Sequence, residues 1–276
     1  MKWAALSVLL LLVLVQGADA GQRLRIVSLA PSLTELAYAA GAGDAMVGTV
    51  EYSDYPAAAR ALPRVGDAWS VDAEAVLALR PDLVLSWPSG TPAGTVARLR
   101  SLGVHVVEIP TFRLADVATA LRSVGHIAGT EVVAEQAAQS YEAAIRDLRA
   151  SHAGVRRVSV FVEIDDEPLY TVNGRHVISE VVDLCGGSNV FADLPQLAPP
   201  VAIEAVLARD PEVILSTDDT IGDPTALWRR WSGMKAVRAG TIYSMSSDTL
   251  TRSTPRLATG AGEVCAALDD ARRRLK

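Results

Sequence analysis

The chain has 276 residues, a formal net charge of −6 and a composition that is 50% hydrophobic. An acidic balance with no basic cluster to offset it excludes a nucleic-acid surface, and the apolar content is ample for two cores. The two cysteines and four histidines include no pair of histidines at metal-ligand spacing.

Residues 1–20 read as a secretory signal peptide. Lys2 precedes an apolar run from Ala4 to Val15, and Ala18-Asp19-Ala20 is a small-x-small cleavage site. The run is short for a membrane span, which needs about 20 apolar residues; an uncleaved anchor is the alternative. In an exported chain Cys185 and Cys265 are expected to pair, the alternative being two buried thiols.

Arg25 to Leu29 predicts a short strand. Ser32 and Glu35 have capping-box spacing, so a helix is expected to start at Ser32 and end near Gly41. Met46 to Val50 predicts a strand, and Glu51 to Leu62 a loop rich in Tyr, Pro and Asp. A helix from Asp72 to Leu79, a strand from Leu83 to Trp87, a helix from Thr95 to Leu102, a strand from His105 to Ile109 and a helix from Leu114 to Ala128 follow. Glu131 to His152 then carries Ala134, Ala137, Ala138, Tyr141, Ala144, Ile145 and Leu148 at three- and four-residue steps, one face of a helix. Thr130 is expected to cap its start and Gly154 its end; at 1.5 Å per residue it is roughly 30–35 Å long.

After this helix the order restarts. Strands are expected at Arg157 to Ile164, Val213 to Thr217 and Thr241 to Met245. Helices are expected at Ser179 to Leu184, ending at Gly186-Gly187, at Ile203 to Ala208, at Trp228 to Trp231 and from about Pro255 to Leu275. Asp165-Asp166 and Asp218-Asp219 read as solvated turns. Strands alternating with helices imply parallel βαβ units. The segment Glu74 to Leu85 recurs as Glu204 to Leu215, without gaps, at a constant offset of 130. A repeated half-domain means two similar α/β lobes joined by the one long helix, with a ligand cleft between them. The expected organisation is a signal peptide at 1–20, an N-terminal lobe at 21–129, the linking helix at 130–154 and a C-terminal lobe at 155–276.

No Gly-x-Ser-x-Gly elbow and no phosphate-cradling Gly-x-x-x-x-Gly-Lys are present. Gly41-Ala42-Gly43 ends a helix rather than opening one, so it is a C-cap and not a dinucleotide loop.

Three stretches carry a family likeness: Arg25-Ile-Val-Ser-Leu-Ala-Pro-Ser-Leu-Thr-Glu-Leu-Ala-Tyr-Ala-Ala-Gly41, Tyr52-Ser-Asp-Tyr-Pro56, and the Glu-x-x-x-Ala-x-x-Pro-Asp-Leu-Val segment. The chain resembles the periplasmic cobalamin-binding proteins of cobalamin ABC importers. These belong with the helical-backbone substrate-binding proteins that also carry haem and ferric siderophores. The resemblance covers residues 23–270 and the cysteine pair. It implies a periplasmic, monomeric, non-enzymatic carrier with no resident cofactor or metal, whose cargo is a corrinoid and whose partner is an ABC permease. Tyr52, Trp69 and Trp87 match cleft aromatics, and a flat macrocycle buries large area against rigid rings. Asp248 and Arg252 match polar positions facing the ligand, although their i, i+4 spacing also permits a helix ion pair. Glu74 and Glu204 match glutamates that meet permease arginines, with dipole capping of their own helices as the alternative. The chain departs from the pattern at Ile164, Ala198-Pro199-Pro200 and Thr249, where the family has aromatics; haem and siderophores therefore stay open as cargo. The rival readings are an exported hydrolase, for which no nucleophile–base pair is found, and an adhesion or sensor module.

Overall fold

A computed structural model of the chain describes residues 23–67, 69–217 and 223–276; the signal-peptide reading and the reading of Asp218-Asp219 lie outside them. The strands are β1 (Ile26–Ser28), β2 (Met46–Gly48), β3 (Leu83–Ser86), β4 (Val106–Glu108), β5 (Val158–Glu163), β6 (Asp165–Asp166), β7 (Leu169–Tyr170), β8 (Gly187–Asn189), β9 (Val213–Thr217) and β10 (Ile242–Met245). The helices are α1 (Pro31–Ala39), α2 (Ala73–Ala78), α3 (Ala93–Ser101), α4 (Leu114–Ala128), α5 (Glu131–Ser151), α6 (Val177–Leu184), α7 (Ile203–Arg209), α8 (Lys235–Ala239), α9 (Ser247–Leu250) and α10 (Leu257–Arg274).

Two parallel four-stranded sheets result, ordered β2-β1-β3-β4 and β10-β9-β5-β8. Counted within its own half, each sheet runs second, first, third, fourth strand, so the duplicated segment reflects a duplicated topology. The inner strands β1, β3, β5 and β9 are almost wholly buried, as parallel strands covered on both faces must be. The repeat extends to backbone conformation. Arg80 and Asp210, each followed by a proline, hold φ of 45° and 42°, a left-handed geometry uncommon outside glycine.

Helix α5 lies between the halves. It packs along α4 and touches α1 on one side and α10 on the other. Ala134, Ala138, Tyr141 and Ile145 are its buried residues, all on the face expected from their spacing. Arg122 of α4 fixes its register: the guanidinium donates to both oxygens of Glu135, at 2.7 and 3.1 Å, and both of Glu142, at 2.7 and 3.1 Å. The two helices approach so closely that a Cβ on Gly125 would stand 2.2 Å from that of Ala134. The Cys185–Cys265 disulfide is present and ties the end of α6 to α10 across an 80-residue separation.

Several local expectations are corrected. The N-cap of α1 is Ala30, with Pro31 at the first helical position. Glu35 does not cap; its carboxylate accepts instead from Arg252 and Arg256. Thr130 likewise makes no side-chain cap, because its hydroxyl donates to the Ala40 carbonyl at 2.6 Å. Trp228 to Arg230 lies in a run of turns that ends before Trp231, and the helix forms later, at α8. Trp228 is drawn into the core, edge-on to Phe161, with its indole N–H donated to Glu163. Asp165-Asp166 pairs with Leu169-Tyr170 as a small antiparallel hairpin. Gly187, read as a helix stop, begins β8, because β5 offers it a parallel edge.

Candidate functional site

The loops at the C-terminal ends of both sheets face one another, the usual ligand position for open parallel sheets. Two adjoining cavities lie there. One, of about 340 Å³, is lined by Leu29–Ser32 after β1, Trp87 and Thr91 after β3, His176 before α6, and Thr251–Ser253 after α9. The other, of about 220 Å³, shares Trp87, His176 and Ser253 and adds Thr111, Phe112, Leu197 and Ala198. Both halves of the chain therefore supply the walls.

Trp87 is the sequence-predicted aromatic that lies at the centre. Its backbone N–H donates to the Thr91 hydroxyl at 3.0 Å, and its carbonyl accepts from the Thr91 N–H at 2.7 Å. The ring lies directly over Gly90, where a Cβ would come within 2.2 Å of it. Tyr52 and Trp69 are placed differently. They do not line the two cavities but stand on neighbouring loops of the N-terminal half, 77% and 82% exposed. Glu51 N–H donates to the Gly66 carbonyl and holds these loops side by side. Asp67 accepts from the Trp69 and Ser70 N–H groups and sets the Trp69 turn. Tyr52 has φ +62°, a conformation that costs a non-glycine residue energy and clusters at functional loops. Large aromatics left this exposed have no role in a core.

Asp248 and Arg252 do form an ion pair, at 2.8 Å. The larger fact is where Arg252 reaches: Glu35 at 3.1 Å and Asp54 at 3.2 Å, both in the N-terminal half. Arg256 joins the cluster, meeting Glu35 at 2.6 Å and lying over the Tyr55 ring 4.1 Å from its centroid. Glu35 is almost fully buried, and pairing holds both guanidinium pKa values above their ordinary value: for Arg256 its hydrogen bond to Glu35 is the leading cause, and for Arg252 the bonds to Glu35 and Asp54 outweigh the opposing effect of burial. Three further bonds bridge the halves beside the cavities. Ser253 donates to the Thr111 carbonyl at 3.2 Å, and Glu180 accepts from Arg113 and from the Leu114 N–H. Arg252 lines the larger cavity with its Nε unpaired among the described residues.

Glu74 and Glu204 sit at the second helical position of α2 and α7. Both are exposed, and neither carboxylate has a partner among the described residues. In α2 the capping is done by Asp72, which accepts from the Glu74 and Ala75 N–H groups.

Sequence reasoning missed Glu35, Phe112, His176 and Leu197. Glu35 was hidden by its capping-box spacing. Phe112 and Leu197 are 47% and 39% exposed in stretches with no periodicity to mark them. Of the departures, Ala198 joins Leu197 on the cavity wall, Ile164 packs against the core and Thr249 is bonded to Glu263. Among the described residues no three His, Cys, Asp or Glu side chains are grouped to hold a metal, and no helix is long and apolar enough to cross a membrane.

A periplasmic binding protein family model matches residues 26–249. The chain belongs to that family. This periplasmic binding protein is 37% identical over 242 residues to a vitamin B12-binding protein of Vibrio cholerae serotype O1, covering 87% of each chain. It is 34% identical over 263 residues to one of Yersinia pestis, covering 95% of this chain and 91% of the other. These relatives are named for binding and not for a reaction. The crystal structure of the Vibrio cholerae periplasmic vitamin B12-binding protein superposes with a TM-score of 0.84 at 36% identity, over 90% of this chain and 98% of that one. A periplasmic heme-binding protein from Roseiflexus sp. RS-1, in apo form, gives 0.81 at 25% identity, over 91% and 99%.

Proposed function

We propose that this chain captures a corrinoid, with cobalamin as its ligand, between its two halves and delivers it from the periplasm to an ABC permease in the inner membrane. It acts as a monomer with no resident cofactor; the corrinoid is cargo. The observation that supports this reading most is the 37% identity to a vitamin B12-binding protein across 87% of both chains. Trp87 and Phe112 wall the cavities, which supports a flat ligand; in this reading the exposed Tyr52 and Trp69 add aromatic contacts and Asp248 with Arg252 polar ones. Lobe closure is limited in this account, because α5 and the Glu35 cluster tie the halves together, so ligand meets a largely preformed site. Glu74 and Glu204 dock the loaded protein on permease arginines, one glutamate per lobe; charge pairs of this kind orient a complex and speed encounter more than they add affinity.

Haem is the second reading, favoured by the likeness to a heme-binding protein and by the sparse aromatics of the second lobe. Calorimetry of the purified protein with cobalamin, cobinamide, haem and ferric siderophores separates the two. The corrinoid reading expects saturable heat with the first two ligands and none with the others.

A further inference from the structure

We infer that His176 is a specificity-determining donor for the cargo: its Nε2–H meets a side-chain amide carbonyl at the corrin periphery and does not ligate the metal. This rests on the corrinoid reading above. Three observations carry it. His176 lines both cavities. It is the N-cap of α6, where its Nδ1 accepts from the Ile178 N–H at 3.2 Å. Its Nε2 has no partner among the described residues.

A neutral imidazole carries one proton. With Nδ1 engaged as acceptor, that proton sits on Nε2. The ring therefore offers the cleft an N–H and no lone pair, which suits a carbonyl oxygen and disqualifies it as an axial metal ligand. Burial holds its pKa down, at about 4, so the ring stays neutral at periplasmic pH. The cap fixes the ring against α6, so the donor is aimed before ligand arrives, and preorganised donors lose least on binding. Thr111 adds a second unpaired polar atom in the smaller cavity's lining: it is buried, and its Oγ1 has no partner among the described residues. A corrin ring, edged with amides, can satisfy such groups; a haem edge of vinyls, methyls and two carboxylates satisfies fewer.

The test uses His176→Asn and His176→Gln in the purified protein. Asparagine is a strong N-cap, so it preserves the helix start but is too short to place a donor in the cleft. Glutamine can reach the cleft with an N–H. Calorimetry with cyanocobalamin is expected to show His176→Asn weakened about three- to tenfold, the scale of one lost hydrogen bond, at unchanged melting temperature, with His176→Gln recovering most of the loss. Wild-type affinity in His176→Asn overturns the assignment and leaves His176 a helix cap. Aquocobinamide, which has an open metal position, tests the other half: an absorption shift on binding wild type that is missing in His176→Asn means metal ligation and also overturns it. If the wild-type protein binds no corrinoid, the functional reading itself fails, which the wild-type titration alone reveals.

Discussion

Gly90 lines the larger cavity beneath the Trp87 ring. Its missing side chain is what lets the Trp87 ring lie in the cavity wall, so Gly90→Ala must push the ring by about an ångström or more or rebuild the turn. The expected outcome is a folded protein with ligand affinity reduced about tenfold or more, since a displaced aromatic anchor loses on the order of 1–3 kcal/mol; unchanged affinity by calorimetry would show that the ring is not an anchor. Glu163 makes a different statement. It is almost fully buried, accepting from Ser216 Oγ at 2.9 Å and Trp228 Nε1 at 2.6 Å, and burial raises its pKa from 4.5 to about 7. A carboxyl whose pKa is raised in the folded state binds its proton more tightly there than in the unfolded chain. Its contribution to stability is complete below about pH 4.5 and is lost as pH rises through about 7, a few kcal/mol in all. Glu163→Gln, which is neutral throughout, should therefore gain melting temperature relative to wild type between pH 5 and pH 8. A difference that is flat with pH, measured by calorimetric scans, would contradict the shift.

At the scale of elements, periodic segments were legible and solitary contacts were not. Helix α4 falls on its expected bounds, and α5 differs by one residue at its end, because apolar steps of three and four over fifteen or more residues dominate local choices. The Glu74–Leu85 repeat marks the duplicated topology in the sequence itself. Ser32-x-x-Glu35 misled, since a four-residue signature cannot register an arginine 217 residues away. Trp228 to Trp231 misled because burial against Phe161 outweighed helix propensity in so short a segment. The cleft was half legible: Trp87, singled out in the sequence, stands on the cavity wall, whereas His176 and Phe112 meet only through the packing of the two halves. The repeat yields a functional expectation for α2 and α7. Their glutamates are exposed and have no partner among the described residues, and α2 already has its cap in Asp72. A double Glu74→Ala, Glu204→Ala protein should bind cobalamin normally and fail to stimulate transport in vesicles holding the cognate permease. Full transport would leave both residues as contributors to their helix dipoles.

For the whole molecule, the question is what joins the two halves beyond the apolar core they share, which runs from Ile26 and Leu33 past Tyr141 and Ile145 of α5 to Val160 and Val264. Covalently it is α5; electrostatically it is the cluster in which Glu35, Asp54 and Asp248 share Arg252 and Arg256. The Glu35 side chain is 2% exposed, and those of Arg252 and Arg256 are 18% and 23% exposed. Removing one partner of such a pair leaves buried charge uncompensated, so Glu35→Ala should lose about 3–5 kcal/mol in urea unfolding; a loss below about 0.5 kcal/mol would class the cluster with surface pairs. In the proposed reading the cleft is largely preformed, and selectivity is then a property of its walls. The most direct measurement is equilibrium dialysis of the purified protein against an equimolar mixture of cyanocobalamin and haem, read from the absorption spectrum of the protein compartment. The account predicts one cobalamin retained per chain and no haem. Retention of haem in preference to cobalamin, or of neither, would contradict it.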